Sequence, residues 1–127
     1  YSEENILSCS EYLQRADLIS GDYSKLIEKI GCEDFVYLDP PYVPISDTAH
    51  FTSYTKDKFG VKEQEKLAEF CKKIDEKGGY FLLSNSDTAF SRDLYSNYNI
   101  TTIKASRSIA AKGASRKAVS EVIVSNY

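Results

Sequence analysis

The sequence predicts an α/β domain with a mostly parallel sheet and an antiparallel strand pair at its C-terminal end. Three observations predict it. Short strand-like runs at 16–20, 34–39 and 80–86 are separated by helical patterns, the signature of strands joined by crossover helices. The second and third runs are nearly continuously apolar instead of alternating, as in strands covered on both faces. The last two runs, 100–105 and 119–127, are joined without a helical pattern, so they can pair antiparallel.

The first run, "ADLISGDY", reads as a strand from Ala16 to Ser20 that ends at a Gly-Asp turn. "DYSKLIEKIG" follows as a short helix: Leu26, Ile27 and Ile30 share one face, and Gly31 stops it. "DFVYLD" (34–39) is the second strand and is expected to be central. Residues 43–60 show no clean period but carry Phe51, Tyr54 and Phe59. A loop of that length without regular structure is uncommon and often functional.

A helix is expected from Val61 to Glu76, where Leu67, Phe70, Cys71 and Ile74 form the apolar stripe and Gly78 and Gly79 end it. "YFLLSNS" (80–86) is the third buried strand. "TAFSRDLYSNY" (88–98) is a short helix with Phe90 and Leu94 on one side and Asp87 or Ser86 as its cap. "ITTIKA" and "VSEVIVSNY" are the final strands.

The chain has 127 residues, enough for one small domain with a real core. Its 42% hydrophobic and 28% charged content suits a soluble globular protein. It has no apolar run long enough to cross a bilayer and no signal peptide, which favours the cytoplasm. Cys9, Cys32 and Cys71 are odd in number and match no zinc spacing, so free thiols are expected. His50 is the only histidine, which argues against a histidine-built metal site or a Ser-His-Asp triad. No metal is expected. The chain opens on Tyr1 and contains no Met, which suggests processing or a piece of a larger protein. Net charge is −3, yet Lys104, Arg107, Lys112, Arg116 and Lys117 follow one another with no acidic residue between them. That run permits a phosphate-binding edge.

In an open parallel sheet, ligands bind outside the carboxyl ends of the strands. The predicted strands deliver Asp22 and Tyr23, Asp39 and Asn85 to that one edge. Pro40 and Pro41 restrict the backbone and offer carbonyl acceptors without N–H donors. Fixed acceptors beside the aromatic face of Tyr42 suit a planar group bearing an amine.

"DPPY" (39–42) after a hydrophobic strand resembles the catalytic motif of the S-adenosylmethionine-dependent DNA adenine N6-methyltransferases. "GDY" (21–23), "FTSYT" (51–55) with Phe59 and Gln64, "LLSNS" (82–86) and "SRSIAAKGASRK" (106–117) extend the resemblance over nearly the whole chain, closest to the Dam type. The resemblance implies a partial Rossmann-like methyltransferase fold and S-adenosylmethionine as cofactor. Double-stranded DNA would be the substrate, with GATC the candidate target and a restriction-modification, housekeeping or phage role all open. It implies that Asp39 and the Pro40 carbonyl accept hydrogen bonds from the adenine amine and that Tyr42 stacks on the extruded base. Asp22 and Tyr23, where the family more commonly has Phe, would border the cofactor's adenine together with Asp39. Pro41, Ser53, Tyr54, Arg107, Ser108, Lys112, Arg116 and Lys117 would contact DNA.

The family's Phe-x-Gly-x-Gly cofactor loop has no counterpart here. Residues 1–15 are assigned to the tail of a target-recognition region and 16–127 to the C-terminal part of the catalytic domain. The chain alone is therefore expected to be inactive, and to self-associate or pair with a missing N-terminal half. Two other readings remain open: methyl transfer to amino groups of RNA or protein, and a non-catalytic nucleic-acid-binding or assembly module.

Overall fold

The computed structural model describes residues 2–45, 59–105 and 119–127. The elements are helix α1 (Glu3–Leu13), a 3-10 helix (Tyr23–Glu28), strand β1 (Phe35–Leu38), helix α2 (Val61–Glu76), strand β2 (Tyr80–Ser86), helix α3 (Ala89–Leu94), and strands β3 (Asn99–Ala105) and β4 (Val119–Ser125). The four strands form one sheet in the order β1-β2-β4-β3.

Helix α2 has the expected bounds, and its apolar stripe holds the core together. Leu67, Phe70, Cys71 and Ile74 are all buried, with Gln64 one turn earlier on the same stripe. The helix ends in a left-handed glycine: Gly78 has φ 76°. The Gly78 N–H donates to the Asp75 carbonyl and the Gly79 N–H to the Ile74 carbonyl, so carbonyls of the last turn gain donors from beyond the helix. A Cβ at Gly79 would meet Ile74 Cγ2 at 3.0 Å and the Gly31 carbonyl at 3.3 Å, so any larger residue there requires those neighbours to give way. From β2, Phe81 and Leu83 enter the core, where they meet Val122 and Val124 of β4 and Tyr95 beyond α3.

Several expectations change. Segment 16–20 forms no strand: Leu18 and Ile19 are exposed, and no described strand lies beside them. An extended segment becomes a strand only when a neighbour takes up its backbone groups. The sheet is also not mostly parallel. Only β1–β2 is parallel, while β2–β4 and β3–β4 are antiparallel. The expected C-terminal antiparallel pair is present as β3–β4.

β1 lies at an edge of the described sheet rather than at its centre. Val36 and Leu38 pack on the core, whereas Phe35 and Tyr37 are exposed. Thr88, not Asp87 or Ser86, caps α3 by accepting from the Ser91 N–H. Asp87 instead pairs with Arg92 at 2.6 Å. Residues 3–13, for which the sequence predicts no element, form α1; Ser2 caps it, and none of the helix's residues is buried. Cys9 and Cys32 are exposed and Cys71 is buried, all as free thiols. Among the described residues, no helix is long and apolar enough to cross a membrane.

Candidate functional site

The site is built where β1 stops. Pro40 and Pro41 have no N–H to continue a ladder, so the chain leaves the sheet at Asp39. Parallel register sets Leu38 against Leu83, which places Ser84 and Asn85 of β2 next to the departing loop. The Ser84 hydroxyl donates to Asp39 Oδ1 at 3.0 Å. Ser84 is buried and Asp39 is exposed, so a fixed hydroxyl orients a carboxylate that still faces outward.

The rest of the loop is held from below. Asn85 Oδ1 accepts from the Val43 N–H at 2.9 Å and from the Ser86 N–H at 2.8 Å. Asn85 Nδ2 donates to Gln64 Oε1 at 3.1 Å, and Gln64 Nε2 donates to the Pro41 carbonyl at 2.8 Å. Both amides are fully buried. Tyr42, between the two anchored residues, is half-buried. Burial pushes its phenol above the ordinary tyrosine value, and the neighbouring Ser84 hydroxyl offsets part of that.

A second feature lies beside the loop. An open cleft of about 620 Å³ is lined by Asp22, Tyr23, Pro41, Phe59, Lys66 and Phe70, among others. Asp22 starts the 3-10 helix by accepting from the Ser24 N–H at 2.9 Å. That hydrogen bond holds its carboxyl below the usual range. Asp22 thus does the helix-capping work open to any aspartate before a helix, and it also borders the cleft. Tyr23 packs edge-on against Phe70, with ring centroids 5.2 Å apart.

The structure therefore brings Asp22, Tyr23 and Pro41 to one cleft, and Asp39, Ser84 and Tyr42 to the adjoining strand ends. Asp39 and Tyr42 do not line the cleft itself. Ser53, Tyr54, Arg107, Ser108, Lys112, Arg116 and Lys117 lie outside the described residues. Among the described residues, no cluster of metal-ligating side chains occurs. Sequence reasoning missed Ser84 as the partner of Asp39, and Lys66 as a cleft residue. The resemblance singles out Gln64 without giving it a role; its place on the stripe of α2 points to one, because a buried amide must have partners.

Residues 1–109 match the model of the D12 class N6 adenine-specific DNA methyltransferases. The chain belongs to that family. A type II methyltransferase from Lactococcus lactis subsp. cremoris is 42% identical over 98% of this chain and 45% of its own length. Another from Methanocaldococcus jannaschii is 39% identical over 100% of this chain and 45% of its own. The DNA adenine methylase of Escherichia coli is 32% identical over 97% of this chain and 44% of its own. This methyltransferase-family chain thus spans less than half the length of these relatives.

Proposed function

We propose that this chain carries the adenine-binding, amine-orienting part of a DNA adenine methyltransferase. The protein that contains it would move a methyl group from S-adenosylmethionine to N6 of adenine in double-stranded DNA, with GATC the candidate target. The observation that carries the proposal is the Asp39-Pro40-Pro41-Tyr42 loop, held at a strand end by Ser84, Asn85 and Gln64. Membership of an adenine-specific family supports it.

The amine of adenine is a poor nucleophile, because its lone pair is delocalised into the ring. Asp39 and the Pro40 carbonyl are acceptors that can hold both amine hydrogens and so favour a tetrahedral nitrogen with its lone pair free. Their contribution is alignment and preorganised charge. Prior removal of a proton by Asp39 is excluded, since a carboxylate is far too weak a base for an aryl amine. Tyr42 offers a face for a base turned out of the duplex.

The residues of the cleft fit the nucleoside end of S-adenosylmethionine. Its volume lies within the ordinary range for small-molecule sites. Tyr23 and Phe59 give aromatic walls and Asp22 an acceptor for an exocyclic amine. When bound there, the cofactor supplies an electrophilic methyl group on a sulfonium. We assign Asp39 to the border between cofactor and target base and Pro41 to the DNA side. Ser53, Tyr54, Arg107, Ser108, Lys112, Arg116 and Lys117 are proposed to contact DNA, where phosphate contacts position the duplex without reading it. Residues 1–15 are proposed as the tail of a target-recognition region, and intracellular action follows from the substrate.

The test is methyl transfer from labelled S-adenosylmethionine to duplex DNA, with the product nucleoside identified by mass spectrometry. N6-methyladenine from the natural protein supports the proposal, and label only in RNA or protein overturns it. Calorimetry on the isolated chain should show little or no cofactor binding, consistent with an open cleft and a segment 16–20 that has no strand partner among the described residues.

A further inference from the structure

The geometry points to Gln64 and Asn85 as a two-amide clamp that sets the position of Tyr42 and thereby controls the rate of methyl transfer. The inference rests on the proposed function for its catalytic consequence, but its structural half stands separately.

Tyr42 has an anchored backbone group on either side. Before it, the Pro41 carbonyl needs a donor; after it, the Val43 N–H needs an acceptor. The relay between them runs in one direction. The Val43 N–H donates to Asn85 Oδ1, Asn85 Nδ2 to Gln64 Oε1, and Gln64 Nε2 to the Pro41 carbonyl. The backbone groups at the two ends fix which end of each amide points where. A carbonyl cannot donate and an N–H cannot accept, so neither amide can flip without opposing like atoms. The Ser86 N–H gives Asn85 Oδ1 a second reason to keep its orientation.

Both amides are fully buried, so water cannot take over a broken link. They also come from different elements, Gln64 from the first turn of α2 and Asn85 from β2. The relay therefore ties loop 41–43 to helix and sheet together. Gln64 and Asn85 reach no reacting atom directly. They are positioning residues that act through Tyr42 and the acceptors before it.

Gln64→Glu tests the polarity of the relay. An ionised glutamate would set an oxygen against the Pro41 carbonyl oxygen, while a protonated one can still donate to it and still accept from Asn85. Burial raises the pKa of such a carboxyl. In the natural protein, kcat of Gln64→Glu relative to wild type should therefore rise as pH falls, by up to about tenfold per unit while pH lies above that pKa. KM for S-adenosylmethionine should change little. Gln64→Leu, similar in volume but unable to donate, should lose kcat at every pH without rescue. A deficit in Gln64→Glu that is independent of pH, or wild-type kcat in Gln64→Leu, overturns the clamp.

Hydrogen exchange at the Val43 amide gives the readout that does not depend on activity. Val43 should exchange slowly in wild type and at least about tenfold faster in Asn85→Ala, measured against core amides of β2 that stay protected. Equal exchange in both proteins overturns the clamp. If wild type transfers no methyl group to adenine while Val43 behaves as described, the proposed function fails and the clamp stands as a structural device.

Discussion

Asp39 and Tyr42 occupy neighbouring positions but face different physical demands. In the proposed mechanism Asp39 stays exposed to meet an incoming amine, and Ser84 alone restrains it among the described side-chain contacts. In the same mechanism Tyr42 presents a flat face, and its burial already raises its phenol above the ordinary value. Nothing in the proposed chemistry requires that phenol to ionise, so the ring matters more than the hydroxyl. Base–aromatic stacking is worth about 1–3 kcal/mol. Tyr42→Ala should therefore weaken productive DNA binding by about 5- to 150-fold, whereas Tyr42→Phe should keep most of it. Fluorescence of a 2-aminopurine placed at the target position reads this directly. Equal loss in the two variants would shift the role from the ring to the hydroxyl. The sequence exposed Asp39 and Tyr42 at once, because Asp-Pro-Pro-Tyr after an apolar run is a local pattern. It hid Ser84, whose role depends on the register of β2 against β1, a contact 45 residues away.

Among the elements, α2 and β2 were the most legible. The period of Leu67, Phe70, Cys71 and Ile74 is written within a few turns, and the Gly78-Gly79 stop is local too. Because this helix carries Gln64 over the loop and Phe70 into the cleft, its seating matters to the site. Ile74 is fully buried. Ile74→Ala should cost about 2–5 kcal/mol, whereas Lys72→Ala on the exposed face should stay within about 0.5 kcal/mol. Urea unfolding followed by circular dichroism checks both. Segment 16–20 departs from expectation for the converse reason. Its apolar residues permit a strand, but a strand depends on a partner that no short window of sequence contains. The cap of α3 falls one or two residues after the expected Asp87 or Ser86, because Ser, Asp and Thr are all good caps and stand side by side. Asp87 was free to pair with Arg92 once Thr88 had taken the cap.

At the scale of the molecule, the described sheet is well covered on one face and sparsely on the other. Phe35, Tyr37, Tyr80 and Tyr127 are exposed, and Phe35 and Tyr80 each pack edge-on with Tyr127. The covered face carries the core, and Cys71 reports whether that core is closed. Burial pushes its thiol up to about 12. Alkylation at neutral pH should modify Cys9 and Cys32 in the folded chain, and Cys71 only after denaturant unfolds it. Rapid labelling of Cys71 without denaturant, read by peptide mass spectrometry, would mean that α2 does not seal against the sheet. The α/β class was legible from alternating patterns. The balance of parallel and antiparallel pairs was not, because β4 inserts between β2 and β3, out of chain order.

Above all, Asp39 is proposed to orient the adenine amine for methyl transfer. Its most direct test is the single-turnover rate of N6-methyladenine formation by the natural protein and its Asp39→Ala variant, with S-adenosylmethionine saturating for each. Loss of aligned acceptors of this kind costs about 10²–10³ in rate. Asp39→Ala should lose at least that much, with folding and duplex binding retained. An Asp39→Ala variant that methylates adenine at a near-normal rate would contradict it.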